Sequence, residues 1–182
     1  CNGLNDGSAF VNFQIDNFPS SYGTVSLLDY CNSNPGTNTF SNIKNVSLNG
    51  DNQNINNNTS GLCDSYEDYT NQYADLTQGQ IYTVYVSLGD CNGYNFPSGG
   101  YVYIDWNVDG DFLDPGEEIG SIPFGDTLVN ASVPITFTVP MTGSYGPTRM
   151  RVMSQFSSIS SIGGFSPCDI GVFNPILSTY AE

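Results

Sequence analysis

The chain has 182 residues, with 18 acidic and three basic residues, no histidine and a formal net charge of −15. This charge argues against nucleic acid and anionic membranes as partners, because both require a basic binding surface. The absence of histidine removes Ser-His-Asp and Cys-His catalytic sites and every His-ligated metal site. We therefore expect a binding or structural protein and no enzyme.

Short segments of alternating apolar and polar residues predict β-strands. In chain order they are Ala9–Asp16, Ile81–Leu88, Tyr101–Trp106, Val133–Val139 and Thr148–Met153. No window carries a helical stripe of apolar residues, and turn residues separate the strands. The pattern predicts an all-β fold, an antiparallel β-sandwich of jelly-roll or Ig-like type with long loops.

Two polar segments are predicted to be loops. Residues 49–60 are rich in Asn, which bonds its own backbone and tolerates left-handed conformations, and residues 156–167 are rich in Ser and Gly. No stretch approaches the roughly 20 apolar residues that a bilayer-crossing helix needs, so we expect no membrane span.

The five cysteines are scattered without a Cys-x-x-Cys pair, which argues against a zinc or redox site: Cys1, Cys31, Cys63, Cys91 and Cys168. Scattered cysteines in a lysine-poor chain suit an oxidising environment, so we expect an extracellular or cell-surface location. Spacing leaves the disulfide connectivity open. Cys1 is the candidate for the unpaired cysteine, whether free, bonded to another chain or lipid-modified.

The segment Ile104–Glu118 carries the strongest functional signal. With Asp105 at position 1, Asn107 and Asp109 occupy positions 3 and 5, and Gly110 occupies position 6, which is the order of a calcium loop. Alternate oxygens at the start of a tight turn converge on one point, as a hard cation with about 6–8 oxygen ligands requires. The predicted Ca²⁺ ligands are Asp105, Asn107, Asp109, Asp111 and Glu117.

This loop differs from an EF-hand loop in two ways. Position 12 is Gly116, so the closing acid Glu117 comes one residue late, and a predicted strand takes the place of the preceding helix. Without a cation, two carboxylates about 4 Å apart repel by roughly 4 kcal/mol at an effective dielectric of about 20. The alternative interpretation is an acidic turn whose side chains point apart into solvent.

Two other groups have both a structural and a functional interpretation. Arg149 and Arg151 share one face of a predicted strand, and we expect them to form structural ion pairs with acids such as Glu67 or Asp68. A set of tyrosines offers a stacking platform for a glycan, although strand aromatics more often serve packing: Tyr22, Tyr82, Tyr85, Tyr94, Tyr101 and Tyr103.

Several short motifs follow one another from Tyr30-Cys31 onward. The most specific is Ile104-Asp105-Trp106-Asn107-x-Asp109-Gly110-Asp111-Phe112 followed by Gly116-Glu117. The others are Tyr66-Glu67-Asp68-Tyr69-Thr70, Leu76-Thr77-Gln78-Gly79, Phe137-Thr138-Val139-Pro140, Thr148-Arg149-Met150-Arg151-Val152 and Pro167-Cys168. Together they resemble the GEVED domain, a β-sandwich module of large secreted proteins of Bacteroidetes-type bacteria.

The resemblance implies a non-catalytic module with a calcium site, exported by a type IX-like route and often attached to adhesins or secreted peptidases. It also implies two disulfides, Cys31–Cys168 and Cys63–Cys91. The family closes with Gly-Glu-Val-Glu-Asp-Tyr and a last strand. Since residues 177–182 do not contain that motif, we expect a GEVED-like sandwich over residues 31–182 without its last strand.

Residues 1–30 lie outside the resemblance and carry one predicted strand, which belongs to its own sheet, ends a linker or is donated to another copy. The leading hypothesis is an extracellular calcium-binding module for adhesion, display or assembly. It would bind a protein partner or identical subunits through sheet edges. One alternative is a filament subunit joined by strand donation, and another is an accessory domain of a secreted hydrolase or peptidase.

Overall fold

The computed structural model describes residues 9–12, 30–31, 33, 39–58, 66–94, 96–125, 131–157, 166–168 and 178–181. The regular elements within these ranges are all strands, which confirms the predicted all-β class. They are β1 (Ala9–Asn12), β2 (Asn42–Asn49), β3 (Asn54–Asn58), β4 (Tyr73–Asp75), β5 (Ile81–Gly89), β6 (Ser98–Ile104), β7 (Glu118–Gly125), β8 (Ser132–Thr138), β9 (Pro147–Ser157) and β10 (Ser178–Ala181).

The strands form two sheets. The first has six strands in the order β4-β1-β9-β6-β7, with β10 also paired to β9, and the second has four in the order β3-β2-β5-β8. Every pairing is antiparallel except that of β1 with β4. Pro123 and Pro134 lie on β7 and β8, at sheet edges, where a missing N–H is tolerated.

The main core lies between the two sheets and explains the alternating sequence pattern. In β5, Val84, Val86 and Leu88 point inward and are buried, and in β8 the inward residues Val133, Ile135 and Phe137 do the same. Strands β6 and β9 close the core from the other sheet with Val102, Ile104, Met150 and Val152. Trp106 is also part of this core.

A second, smaller cluster covers the outer face of the first sheet and ties the domain flanks to the Ile104–Glu118 loop. Tyr103 and Met153 lie on that face, and Tyr30 and Phe112 pack over them from the two flanking segments. The Tyr30 and Phe112 rings are 5.3 Å apart between centroids. Because β6 is thus covered on both faces, six of its seven residues are buried.

The Cys31–Cys168 disulfide lies beside this cluster and confirms the pairing that the family resemblance implies. Arg151 is fully buried next to it and donates hydrogen bonds to the carbonyl oxygens of Cys31 and Pro167. Its guanidinium carbon lies 4.7 Å from the centre of the Phe112 ring. Disulfide and guanidinium therefore hold the same two backbone segments together.

The prediction of a loop over residues 49–60 is wrong in part, because Asn54–Asn58 forms β3 and pairs with β2. Ile55 and Asn57 face inward and are buried, and the Asn57 carbonyl accepts a hydrogen bond from Nδ2 of Asn45. Pairing along a hairpin overrides the low strand propensity of Asn. The predicted loop at 156–167 likewise begins later, since β9 extends to Ser157.

The described residues contain no helix of the length and hydrophobicity needed to span a membrane.

Candidate metal site in the acidic loop

The loop that joins β6 to β7 is organised around the carboxylate of Asp105. This side chain is fully buried and accepts hydrogen bonds from the backbone N–H groups of Val108, Asp109 and Gly110 at 2.6, 3.3 and 3.1 Å. The three amides belong to consecutive residues, so the chain must curl around Asp105. Asp105 thus determines the path of the loop.

Tyr30 supplies the fourth donor to Asp105 from a distant part of the chain. Its hydroxyl donates to Oδ2 of Asp105 at 2.7 Å in a buried contact. Burial, followed by the hydrogen bond to Asp105 and the charge of that carboxylate, raises the pKa of Tyr30 far above its usual range. The hydroxyl is therefore protonated at neutral pH and serves as a donor to Asp105.

Glu117 closes the loop from the other end. It is 1% exposed, and its two carboxylate oxygens each accept a backbone N–H at 3.1 Å, from Trp106 and from Asp114. Burial is the main cause that raises its pKa to about 7. The charges of Asp105 and Asp109 act in the same direction, whereas the two N–H groups oppose the rise.

Three carboxylates gather at the outer side of the loop, and we call them the acidic cluster: Asp109, Asp111 and Asp114. One oxygen from each lies within 4.8 Å of the others. Nδ2 of Asn107 donates to Asp109 at 2.9 Å and to Asp114 at 2.7 Å. The partial positive charge of this amide therefore lies against two of the three carboxylates.

The chemistry of this donor set fits a hard cation. Carboxylate oxygens are preferred Ca²⁺ ligands, and a half-turn of the Asn107 amide would exchange its nitrogen for an oxygen ligand. Asp109 and Asp114 are exposed and Asp111 is half-buried, so the remaining coordination positions are accessible to water.

The structure distributes the five predicted ligands over two groups. Asp109 and Asp111 belong to the acidic cluster, and Asn107 bonds to it. Asp105 and Glu117 are buried behind the cluster, where they accept backbone N–H groups.

Asp114 belongs to the acidic cluster but was absent from the predicted ligand set. A turn follows it, in which Gly116 has φ of +96° and the Glu117 N–H donates to the Asp114 carbonyl at 3.1 Å. The Asp-Pro-Gly sequence at 114–116 was the available signal, because such residues promote tight turns.

The loop contains one strained residue and is anchored to a neighbouring turn. Val108 has φ of +60°, a left-handed conformation that is unfavourable for a β-branched side chain. Ser144 donates its N–H to the Trp106 carbonyl and its hydroxyl to the Asn107 carbonyl, both at 2.8 Å. A cavity of about 280 Å³ opens beside these contacts, with Asp114 and Glu117 in its wall.

The two arginines contact aromatic rings and carbonyl groups. The guanidinium carbon of Arg149 lies 4.3 Å from the centre of the Tyr30 ring. Burial, and then the charge of Arg151, lowers the pKa of Arg149 to about 10. Both arginines do lie on one face of β9, as expected, and their ion pairing with Glu67 or Asp68 stays a prediction.

The described tyrosines of the predicted glycan platform do not lie together on one exposed surface. Tyr103 is buried, Tyr82 is partly buried and bonds Asp51, and Tyr85 lies on the other sheet from Tyr101. Tyr94 is exposed and packs beside Phe96. Tyr22 lies outside the described residues.

Cys1 and Cys63 also lie outside the described residues. Cys91 is disulfide-bonded, and its expected pairing with Cys63 stays a prediction.

Comparisons with known proteins gave one match. Searches of the curated proteins and of the solved structures each returned none. Residues 100–173, which include the whole acidic loop and all of β9, match the model of the GEVED domain. This match agrees with the family resemblance that the motifs indicated.

Proposed function

We propose that the protein is a non-catalytic, extracellular, calcium-binding β-sandwich module that serves adhesion, display or assembly at a cell surface. The observation that carries the proposal is the acidic cluster, in which three carboxylates converge within 4.8 Å and the Asn107 amide bridges two of them. Convergence of like charges is unfavourable without a compensating cation. A bound Ca²⁺ ion would remove this repulsion.

Further support comes from the way the loop is built into the domain. Asp105, Glu117 and Ser144 hold the loop backbone in place behind the cluster. A preorganised loop loses less conformational entropy when it binds an ion. The Cys31–Cys168 disulfide suits an oxidising, extracellular environment.

A calcium titration of the wild-type chain and two charge-matched variants tests the proposal. Asp114→Asn removes one charge from the acidic cluster, whereas Glu118→Gln removes one charge from an exposed residue next to the loop and outside the cluster. Ca²⁺ at 10 to 100 times its dissociation constant should raise the stability of the wild-type chain by about 1.4 to 2.7 kcal/mol. Isothermal calorimetry measures the dissociation constant of Ca²⁺, and thermal unfolding with and without chelator measures the gain in stability.

The proposal expects Asp114→Asn to weaken calcium binding about tenfold or more and Glu118→Gln to weaken it by less than about threefold. Equal weakening by both variants would mean that Ca²⁺ responds only to the overall negative charge. A melting temperature that is identical in chelator and in Ca²⁺ would rule out the calcium-dependent module.

A further inference from the structure

The strand β1 lies between two strands of its own sheet and has a defined register with each. Ala9–Asn12 runs antiparallel to β9, from Ala9 opposite Met150 to Asn12 opposite Pro147. On its other side it runs parallel to β4, with Phe10 opposite Tyr73 and Asn12 opposite Asp75. We call the space that β1 fills the β4–β9 slot.

The same edge of β9 also pairs with the other end of the chain. β10 is antiparallel to β9, from Ser178 opposite Ser157 to Ala181 opposite Ser154. Both segments therefore run in the same direction along β9, and the end of β10 points toward the start of β1. Strands from two separate parts of the sequence therefore pair with this one edge of β9.

An empty β4–β9 slot would divide the first sheet. β4 pairs with no other strand of this sheet among the described residues, so without β1 it would be cut off from β9. The facing edges of β4 and β9 would then both present unpaired N–H and C=O groups, which readily recruit another strand. One strand in the slot therefore forms hydrogen bonds with two edges, running parallel to β4 and antiparallel to β9.

We propose that the β4–β9 slot is a strand-acceptor site, which binds Ala9–Asn12 of a second copy of this chain in place of its own. The backbone partners are identical in the two cases, so the register that fits one donor fits the other. Exchange of identical elements between copies is a low-cost route to assembly for this reason. The proposal is independent of calcium binding.

The length of chain behind β1 permits the exchange. Seventeen residues separate Asn12 from Tyr30, whose hydroxyl is bonded to Asp105 and whose neighbour Cys31 is held by a disulfide. Such a segment can extend over about 60 Å, well beyond the radius of gyration of about 16 Å expected for a domain of this size. Intramolecular pairing is favoured by an effective concentration in the millimolar range, so exchange requires comparable local concentrations or an emptied slot.

A proline variant of the full-length chain provides the emptied slot. Val11 lies opposite Ala74 in β4 and opposite Thr148 in β9. Val11→Pro removes a backbone N–H and introduces a ring that clashes with a neighbouring strand. Because β1 has a paired strand on both sides, proline is incompatible with this position. A labelled synthetic peptide spanning residues 5–16 is then titrated into this variant and followed by fluorescence anisotropy. The same peptide carrying Val11→Pro and a Val11→Thr chain are the matched controls.

The wild-type peptide should saturate the Val11→Pro chain at one site, about tenfold or more tighter than the proline peptide binds. It should bind the Val11→Thr chain, whose own strand fills the slot, more weakly by a similar factor. A Val11→Pro chain that retains its near-ultraviolet circular dichroism but does not bind the peptide would overturn the proposal.

A second measurement on the wild-type chain decides the case in which Val11→Pro does not fold. Isotope-labelled and unlabelled wild-type chains are unfolded together, refolded at about 1 mM and analysed by native mass spectrometry. Dimers of mixed mass would support exchange of β1 between copies. A population that contains only monomers would overturn it.

Discussion

Tyr30 connects the disulfide-bonded flank of the domain to the acidic loop, and Tyr30→Phe tests this connection. The substitution removes the hydroxyl that donates to Oδ2 of Asp105 at 2.7 Å and leaves the ring in place. The ring contacts with Phe112, at 5.3 Å between centroids, and with Arg149, at 4.3 Å, should survive. The change therefore isolates one hydrogen bond to a fully buried carboxylate.

The expected loss of unfolding free energy is about 1.5 to 3 kcal/mol, the usual contribution of a hydrogen bond to a charged group. Asp105 keeps its three backbone N–H donors, so its charge remains partly compensated and the loss should not exceed this range. The loss should be independent of pH in the neutral range, because the raised pKa of Tyr30 keeps its hydroxyl protonated.

Urea unfolding in chelator, followed by circular dichroism, measures this loss. Tyr85→Phe is the matched control, since Tyr85 is 41% exposed on the other sheet, and it should change stability by less than about 0.5 kcal/mol. A Tyr30→Phe variant as stable as the control would refute the idea that Tyr30 holds Asp105 and the loop in place.

Three further predictions follow from the loop and its flank. Val108→Gly should stabilise the calcium-free domain by about 1 kcal/mol in urea unfolding, because relief of the left-handed strain outweighs the added entropy of glycine, and a destabilised variant would contradict this. Because the pKa of Glu117 is raised in the folded state, that state holds a proton that the unfolded state has released. The free energy of unfolding in chelator should therefore decrease as the pH rises from 4.5 to about 7. Glu117→Gln should reduce the slope of unfolding free energy against pH by at most about 1.4 kcal/mol per pH unit. An unchanged slope would exclude Glu117 as the cause of the pH dependence. Replacing Cys31 and Cys168 together by serine should cost up to about 5 kcal/mol on the chain-entropy estimate for 137 residues, and an unchanged melting temperature would show that the bridge adds no stability.

The strands that cover one core face were predictable from the sequence. β5 and β8 are found within one residue of the predicted bounds, because every second residue, the one that faces inward, is apolar. β6 begins at Ser98, three residues before the predicted start at Tyr101. Gly99 and Gly100 belong to it because they pair with Gln155 and Ser154 of β9. A Cβ at Gly100 would lie 2.0 Å from the Met153 carbonyl oxygen, so this part of the strand requires glycine and lacks the alternating pattern.

The missed features depend on contacts that the pattern of residue types does not show. β3 reads as an Asn-rich loop, and only the pairing with β2 and the burial of Ile55 reveal it as a strand. The role of Tyr30 is not predictable from the sequence, because its partner Asp105 is 75 residues away. The resemblance, by contrast, supplied the Cys31–Cys168 pairing, which spacing left open.

The sequence predicts ligands along the acidic loop, whereas it does not predict which of these side chains are buried and which are exposed. All five predicted ligands are oxygen donors within one loop, yet only the fold determines which of them are buried. Asp105 and Glu117 satisfy backbone N–H groups on the inner side, and Asp114 joins the outer cluster in their stead. Ligand order along a sequence predicts a site, and the local turns decide which oxygens face it.

The most direct test of the proposed calcium site is an anomalous difference map from crystals grown in millimolar Ca²⁺. The account predicts one strong peak at about 2.3–2.6 Å from oxygens of Asp109, Asp111 and Asp114, with the Asn107 amide turned to present its oxygen. A map in which these three carboxylates point apart into solvent, with no peak between them, would contradict it.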